Sequence, residues 1–129
     1  MRLLLDTHIA LWAVTGDDNL NKQALSQIES SQCFVSHAAL WEIAIKHSLG
    51  KRTSDAMPFS SNDALIEFEL AGFELLKIDV RHIRAVESTP HHHRDPFDRL
   101  MIAQAQVEQL TLATRDRRLP AYGAMVMPL

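Results

Sequence analysis

The sequence predicts an α/β fold in three layers, a mainly parallel sheet between two sets of helices. Three observations predict it. Short apolar runs such as Leu3 to Leu5 recur along the chain and are too compact to alternate, as expected of strands covered on both faces. Each run is followed by a segment with helical spacing, and strands alternating with helices imply βαβ units. The length of 129 residues suits a single domain over 1–129 and leaves no room for a second core.

Residues 2–5 read as the first strand, ended by Asp6, and residues 9–14 continue as a helix. Residues 21–30 are helical, with Ala24, Leu25 and Ile28 on one side, and residues 33–36 form a second short buried strand. A helix over 37–49 is stopped by Gly50, and positions 38, 41, 45 and 49 mark an apolar stripe that Glu42 borders. Residues 50–61, with Pro58 and three serines, read as a surface connection. A helix over 61–71 ends at Gly72, residues 73–78 are strand-like, and Asp79 caps a helix running to Glu87. After a loop over 88–94 comes the longest helix, 96–109, and strands over 110–114 and 124–127 close the chain. Trp12, Trp41 and the phenylalanines sit among apolar neighbours and are assigned to the core rather than to base stacking.

Composition narrows the chemistry. The net charge of −3 gives no global basic footprint for nucleic acid or membrane. Residues 91–118 nevertheless hold five arginines against four acids, a local +1, while the remainder carries −4. Asp6 and His8 interrupt the apolar start before a signal peptide is complete, and no stretch approaches the ~20 apolar residues of a membrane span, so a soluble cytoplasmic protein without a membrane partner is expected. Cys33 is the single cysteine; inside a strand, it reads as a buried, inert thiol. The run His91 to His93 lacks spaced partners for zinc and reads as a solvated loop or a weak contact to RNA phosphate. Neither a Gly-rich phosphate loop nor a G-x-S-x-G elbow is present.

Acids fall where open parallel sheets bind ligands, just beyond the carboxyl ends of strands. Asp6 ends the first strand, Asp116 follows the strand ending at Thr114, and Glu42 lies early in the helix that leaves Ser36. Asp98 sits in the first turn of the helix feeding the Asp116 strand. Each has a bland alternative. Asp95 and Asp98 suit the N-cap and N3 positions around Pro96, Asp6 suits a cap, and Asp116 suits a turn with Arg117 or Arg118. Glu42 suits an i,i+4 ion pair with Lys46, although a half-buried carboxylate needs compensation. If the four converge, a cation must offset their repulsion, and hard oxygen ligands point to Mg²⁺ or Mn²⁺. Such a site can polarise a phosphodiester oxygen and activate water for in-line attack, a second ion ~4 Å away steadying the leaving oxygen.

The segments Leu3-Leu-Leu-Asp-Thr-His-Ile-Ala-Leu-Trp12, Val35-Ser-His-Ala-Ala-Leu-Trp-Glu-Ile-Ala-Ile-Lys46, His93-Arg-Asp-Pro-Phe-Asp-Arg-Leu-Met-Ile-Ala-Gln-Ala105 and Leu112-Ala-Thr-Arg-Asp116 resemble, in order, the motifs of PIN-domain proteins. More narrowly, the chain resembles VapC-type toxins of toxin–antitoxin pairs. The resemblance implies a Mg²⁺- or Mn²⁺-dependent endoribonuclease, a homodimer, and a small antitoxin that occupies the active-site groove. It maps Asp6, Glu42, Asp98 and Asp116 onto the metal-binding acids, and Thr7, Ser36 and Thr114 onto polar positions beside them. Asp95 matches the first acid of the Asp-Pro-Phe-Asp motif, where capping is its expected role. Arg94, Arg99 and Arg115 are candidates to steer phosphate. Two other function classes stay open: a PIN fold used only to bind RNA or protein, and a phospho-accepting receiver domain.

Overall fold

The computed structural model describes residues 1–50, 57–90, 95–116, 118–119, 123 and 126–129. The chain runs β1 (Arg2–Leu5), α1 (Thr7–Thr15), α2 (Lys22–Glu29), β2 (Gln32–Ser36), α3 (His37–Ser48), α4 (Ser61–Leu70), β3 (Glu74–Leu76), α5 (Val80–Ser88), α6 (Pro96–Glu108), β4 (Thr111–Thr114) and β5 (Val126–Pro128). The five strands form one sheet in the order β3-β2-β1-β4-β5, and every pairing is parallel. This order differs from the 2-1-3-4-5 order of receiver folds, which sets the receiver alternative aside.

Side chains on successive strand residues point to opposite faces, and the two cores follow that alternation. Leu3, Leu5, Cys33, Val35 and Ala113 pack with buried residues of α1 to α4, among them Ile9, Ala24, Ile43 and Phe68. Leu4, Phe34, Leu112 and Val126 face the other way, onto Met101, Ile102 and Ala105 of α6. The molecule is therefore a three-layer α/β/α sandwich with β1 central and fully buried on both sides. Cys33 is buried as expected, and burial pushes its thiol up to about 11.

The caps expected from sequence are present. Asp79 accepts from the Arg81 amide, and the His82 Nδ1 accepts from the Asp79 amide, closing a capping box on α5. Gly72 follows α4 with φ +81°, a conformation that glycine adopts without a Cβ penalty.

Two expectations about packing are corrected. The buried face of α3 is Ala38, Ala39, Glu42 and Ile43, not the stripe 38, 41, 45 and 49. Trp41, Ile45 and Leu49 are exposed, Trp41 by 57%, so Trp41 is not a core residue. Two alanines and Ile43 form the apolar part of the buried face of α3, Trp41 and Ile45 are left on the outside, and Glu42 stands inside the buried face rather than at its border. Among the phenylalanines, Phe34 and Phe68 are core residues as expected, whereas Phe59 is exposed.

Candidate active site

The strand order reverses between β1 and β4, because the chain builds outward from β1 through β2 to β3 and then returns to β1's other side. A crevice opens beyond the carboxyl ends of strands at such a switch point. Asp6 and Asp116 follow those two strands, and the Asp6 amide donates to the Ala113 carbonyl at 3.0 Å, which continues the ladder to the edge of the crevice.

A connected set of hydrogen bonds fixes the acids there. The Thr7 amide donates to Asp6 Oδ1 at 2.6 Å, and Asp6 acts as the N-cap of α1. Thr114 Oγ1 donates to Asp6 Oδ2 at 2.7 Å and accepts from the Asp116 amide at 3.0 Å. Thr7 Oγ1 donates to Glu42 Oε1 at 2.6 Å, and Lys46 Nζ pairs with Glu42 Oε2 at 2.9 Å. Glu42 is only 6% exposed, and this hydroxyl and ammonium supply the compensation that a buried carboxylate needs. Thr7 and Thr114 are thus positioning residues, each holding an acid rather than presenting a loose hydroxyl. Replacing Thr114 with valine orphans the Asp116 amide and strips a donor from Asp6. An expected cost of about 1–3 kcal/mol follows, read from urea unfolding of the Thr114→Val protein.

The structure resolves where Asp98 lies. Asp95 caps α6 by accepting from the Phe97 and Asp98 amides at 2.9 and 3.3 Å, with Pro96 at the first helical position. That start delivers Asp95 and Asp98 to the same cleft as Asp6, Glu42 and Asp116, a volume of about 420 Å³. Burial, followed by the nearby charges of Asp6, Asp95, Glu42 and Asp116, pushes the Asp98 carboxyl up to about 8. Burial also raises Asp6, against the lowering effect of its bonds from Thr114 and Thr7. Asp116 is met by Arg118, whose Nη2 lies 2.8 Å from Oδ2 and whose Nε and amide both donate to Oδ1. The turn with Arg118 and the place in the cleft are therefore both real.

Two candidates fall elsewhere. Ser36 is fully buried as the N-cap of α3, its Oγ accepting from the Ala38 amide at 2.9 Å, and does not line the cleft. Arg99 also leaves the cleft: its Nη2 donates to the Val86 and Thr89 carbonyls at the end of α5, at 3.1 and 3.2 Å. Successive helix residues are about 100° apart, so the residue after Asp98 cannot share its direction. Arg94 lies outside the described residues, as do His91 to His93, Arg117 and much of the connection over 50–61. Arg115 does line the cleft, beside Trp12. His8, Trp12, Lys46 and Arg118 are cleft residues that sequence reasoning did not assign to the site. The i,i+4 spacing of His8 and Trp12 on the helix after Asp6 was the available signal.

The donor set fits a hard divalent cation. Among the described residues the cleft is lined by carboxylates with no cysteine beside them, and a cation there would offset the burial and the neighbouring charges that raise Asp98. Among the described residues, no three acidic, histidine or cysteine side chains are gathered into a ready ligand cage; the acids ring the cleft on their own supports.

A family model described as PIN domain matches residues 3–124. No curated protein matches the chain. Solved structures do. The fold is similar to that in VapBC2 from Rickettsia felis bound to a promoter DNA fragment, with a TM-score of 0.71 and 14% identity over 99% of this chain and 98% of that one. It is also similar to DNA-bound VapBC from Salmonella typhimurium, with a TM-score of 0.66 and 14% identity over 99% and 98%. A toxin–antitoxin complex from Klebsiella pneumoniae gives a TM-score of 0.64 and 17% identity over 97% and 95%.

Proposed function

The chain belongs to the PIN-domain family, and from that premise we propose that it is a VapC-type toxin, an endoribonuclease dependent on Mg²⁺ or Mn²⁺ and restrained by a small antitoxin. The observation that carries this reading is the meeting of Asp6, Glu42, Asp98 and Asp116 in one cleft at the β1/β4 switch point. Those four acids are the residues to hold the metal. An ion held there would supply positive charge for the phosphodiester oxygens and lower the pKa of water so that hydroxide is available near neutral pH. The protein's own groups do the rest. Thr7 and Lys46 hold Glu42 in its orientation, Thr114 aims Asp6, and Arg115 stands at the cleft to meet a phosphate. Arg118 holds Asp116 at its mouth.

The purified protein is expected to cleave total RNA in Mg²⁺ and to stop in EDTA, with Asp98→Asn inactive in either. Equal cleavage in all three conditions overturns the assignment. A PIN fold that only binds RNA predicts retention without cleavage in every lane.

The antitoxin reading draws support from the complexes named above and from exposed apolar side chains. Trp41 and Ile45 on α3 and Leu49 just after it are exposed, as are Ile66 and Leu70 on α4, and α3 packs against α4. Exposed apolar side chains on two packed helices suit an interaction site. A tagged chain from native cells is expected to carry an antitoxin-sized protein that silences cleavage by the wild type but not by Trp41→Asp, whose cleavage stays free. Equal silencing of both removes α3 from the interface. A second exposed pair, Val80 and Ile83 on α5, suits the homodimer, which sedimentation tests. Among the described residues no helix is long and apolar enough to cross a membrane, and the reading places the toxin in the cytoplasm, beside its RNA.

A further inference from the structure

Glu42 is held at both oxygens, Thr7 Oγ1 donating to Oε1 at 2.6 Å and Lys46 Nζ to Oε2 at 2.9 Å. The two grips differ in kind. Thr7 is fully buried at the start of α1 and brings no charge, so its hydrogen bond is compatible with a cation on the same carboxylate. Lys46 brings a full positive charge on a flexible four-carbon stem, and the pair is largely withdrawn from water, its side chains 24% and 8% exposed. Screening is weak at that depth, so an ammonium and a divalent ion cannot share Glu42 without strong repulsion. Lys46 stands one turn after Glu42 on α3, on the same side, and lines the cleft together with Asp6, Asp98 and Arg115. A lysine that lets go of Glu42 therefore remains in the cleft, where the incoming ligand is a chain of phosphates.

Resting on the ribonuclease reading above, we infer that Lys46 is an exchangeable counter-ion: it neutralises Glu42 in the metal-free protein, yields that carboxylate to the divalent ion, and then pairs with an RNA phosphate. Thr7 keeps Glu42 oriented throughout. Without Lys46, the metal-free cleft would hold a buried carboxylate stripped of its positive partner, beside the charges that already raise Asp98. Release of Lys46 also couples the two ligands. The ammonium reaches phosphate only when Glu42 is otherwise neutralised, so each ligand favours the other.

The probes are Mn²⁺ alone, titrated calorimetrically into metal-free protein, and a mixed-sequence oligoribonucleotide. Lys46→Met keeps the apolar stem and loses the charge. It is expected to bind Mn²⁺ at least about fivefold more tightly than the wild type, because a like charge at close range costs that much even in water. Its KM for RNA at saturating Mn²⁺ is expected to rise about tenfold, and the slope of log KM against log salt to fall by about 0.7, as for one lost phosphate contact. Lys46→Arg, which keeps the charge, is expected to stay within about threefold of the wild type in both measurements. Lys46→Gln retains an N–H for Glu42 without the charge and replaces Lys46→Met should that protein not fold, with the same outcome expected. A lysine that merely orients Glu42 predicts the opposite sign, weaker Mn²⁺ binding together with lower activity. That result, or Mn²⁺ affinity and KM both unchanged, overturns the exchange and leaves the ribonuclease reading standing. A wild type that neither binds nor cleaves RNA removes the ribonuclease reading; tighter Mn²⁺ binding by Lys46→Met then still upholds Lys46 as the ion's competitor at Glu42, and unchanged binding overturns it.

Discussion

Asp98→Asn is expected to abolish metal-dependent RNA cleavage, by more than about a hundredfold, while making the metal-free protein more stable at pH 8. The two effects have one origin. Asp98 is partly buried beside Asp6, Asp95, Glu42 and Asp116, and its carboxyl is pushed up to about 8. An amide of the same shape carries no charge to desolvate or repel, so the folded state gains. The cost appears in function, because a neutral oxygen is a poorer ligand for Mg²⁺ than a carboxylate, and loss of even an outer partner of a metal site removes about ten- to a hundredfold of activity. Thermal unfolding in EDTA and cleavage of total RNA in Mg²⁺, measured on the same preparation, check both halves. A variant that is inactive but also less stable would mean that Asp98 serves the fold rather than the site.

The second large effect is a dependence of stability on pH that a divalent ion cancels. In the unfolded chain Asp98 titrates near its ordinary value of 3.8, and in the folded protein near 8. Between those limits the folded state binds the extra proton, so the stabilisation is complete below about pH 4 and is lost as pH rises through about 8. One such group gives a slope of at most about 1.4 kcal/mol per pH unit. Asp6, raised in the same direction, adds to it. Asp79, held down to about 2 by Arg81, is ionised throughout this window and contributes no slope. The metal-free protein is therefore expected to melt at lower temperature at pH 8 than at pH 5. Mg²⁺ or Mn²⁺ is expected to restore the loss at pH 8 with little effect at pH 5, and Asp98→Asn to flatten the difference. A melting temperature in EDTA that rises from pH 5 to pH 8 would contradict the electrostatics of the cleft.

Most of the fold was legible because its signals are local. The apolar run 3–5, the Asp95-Pro96 start and the glycine stops each declare an element boundary within a few residues, and the strand–helix alternation leaves few parallel arrangements. The site was legible to the extent that topology places residues: Asp6 and Asp116 follow strands, so the sheet alone brings them to one edge. Asp98 belongs to a helix start whose position depends on how α6 packs, which no local pattern contains. The face of α3 was misread for a related reason. Hydrophobic size suggested Trp41, Ile45 and Leu49 as the inner stripe, but the inner face holds Ala38, Ala39 and Ile43 with Glu42 among them, and the three larger positions stay exposed. Arg99 was grouped with Arg115 by charge, yet only the neighbouring carbonyls of Val86 and Thr89 decide where its guanidinium goes.

The central position of β1 has a consequence for motion. Asp6 continues the most deeply buried strand, with Leu3, Leu4 and Leu5 fully enclosed and the Asp6 amide bonded to β4. Local opening of such a segment costs nearly as much free energy as global unfolding. Asp6 at the floor of the cleft therefore does not breathe with the surface. Adjustment to anything entering the cleft is left to side-chain rotation at its rim, over a strand end as rigid as the fold itself.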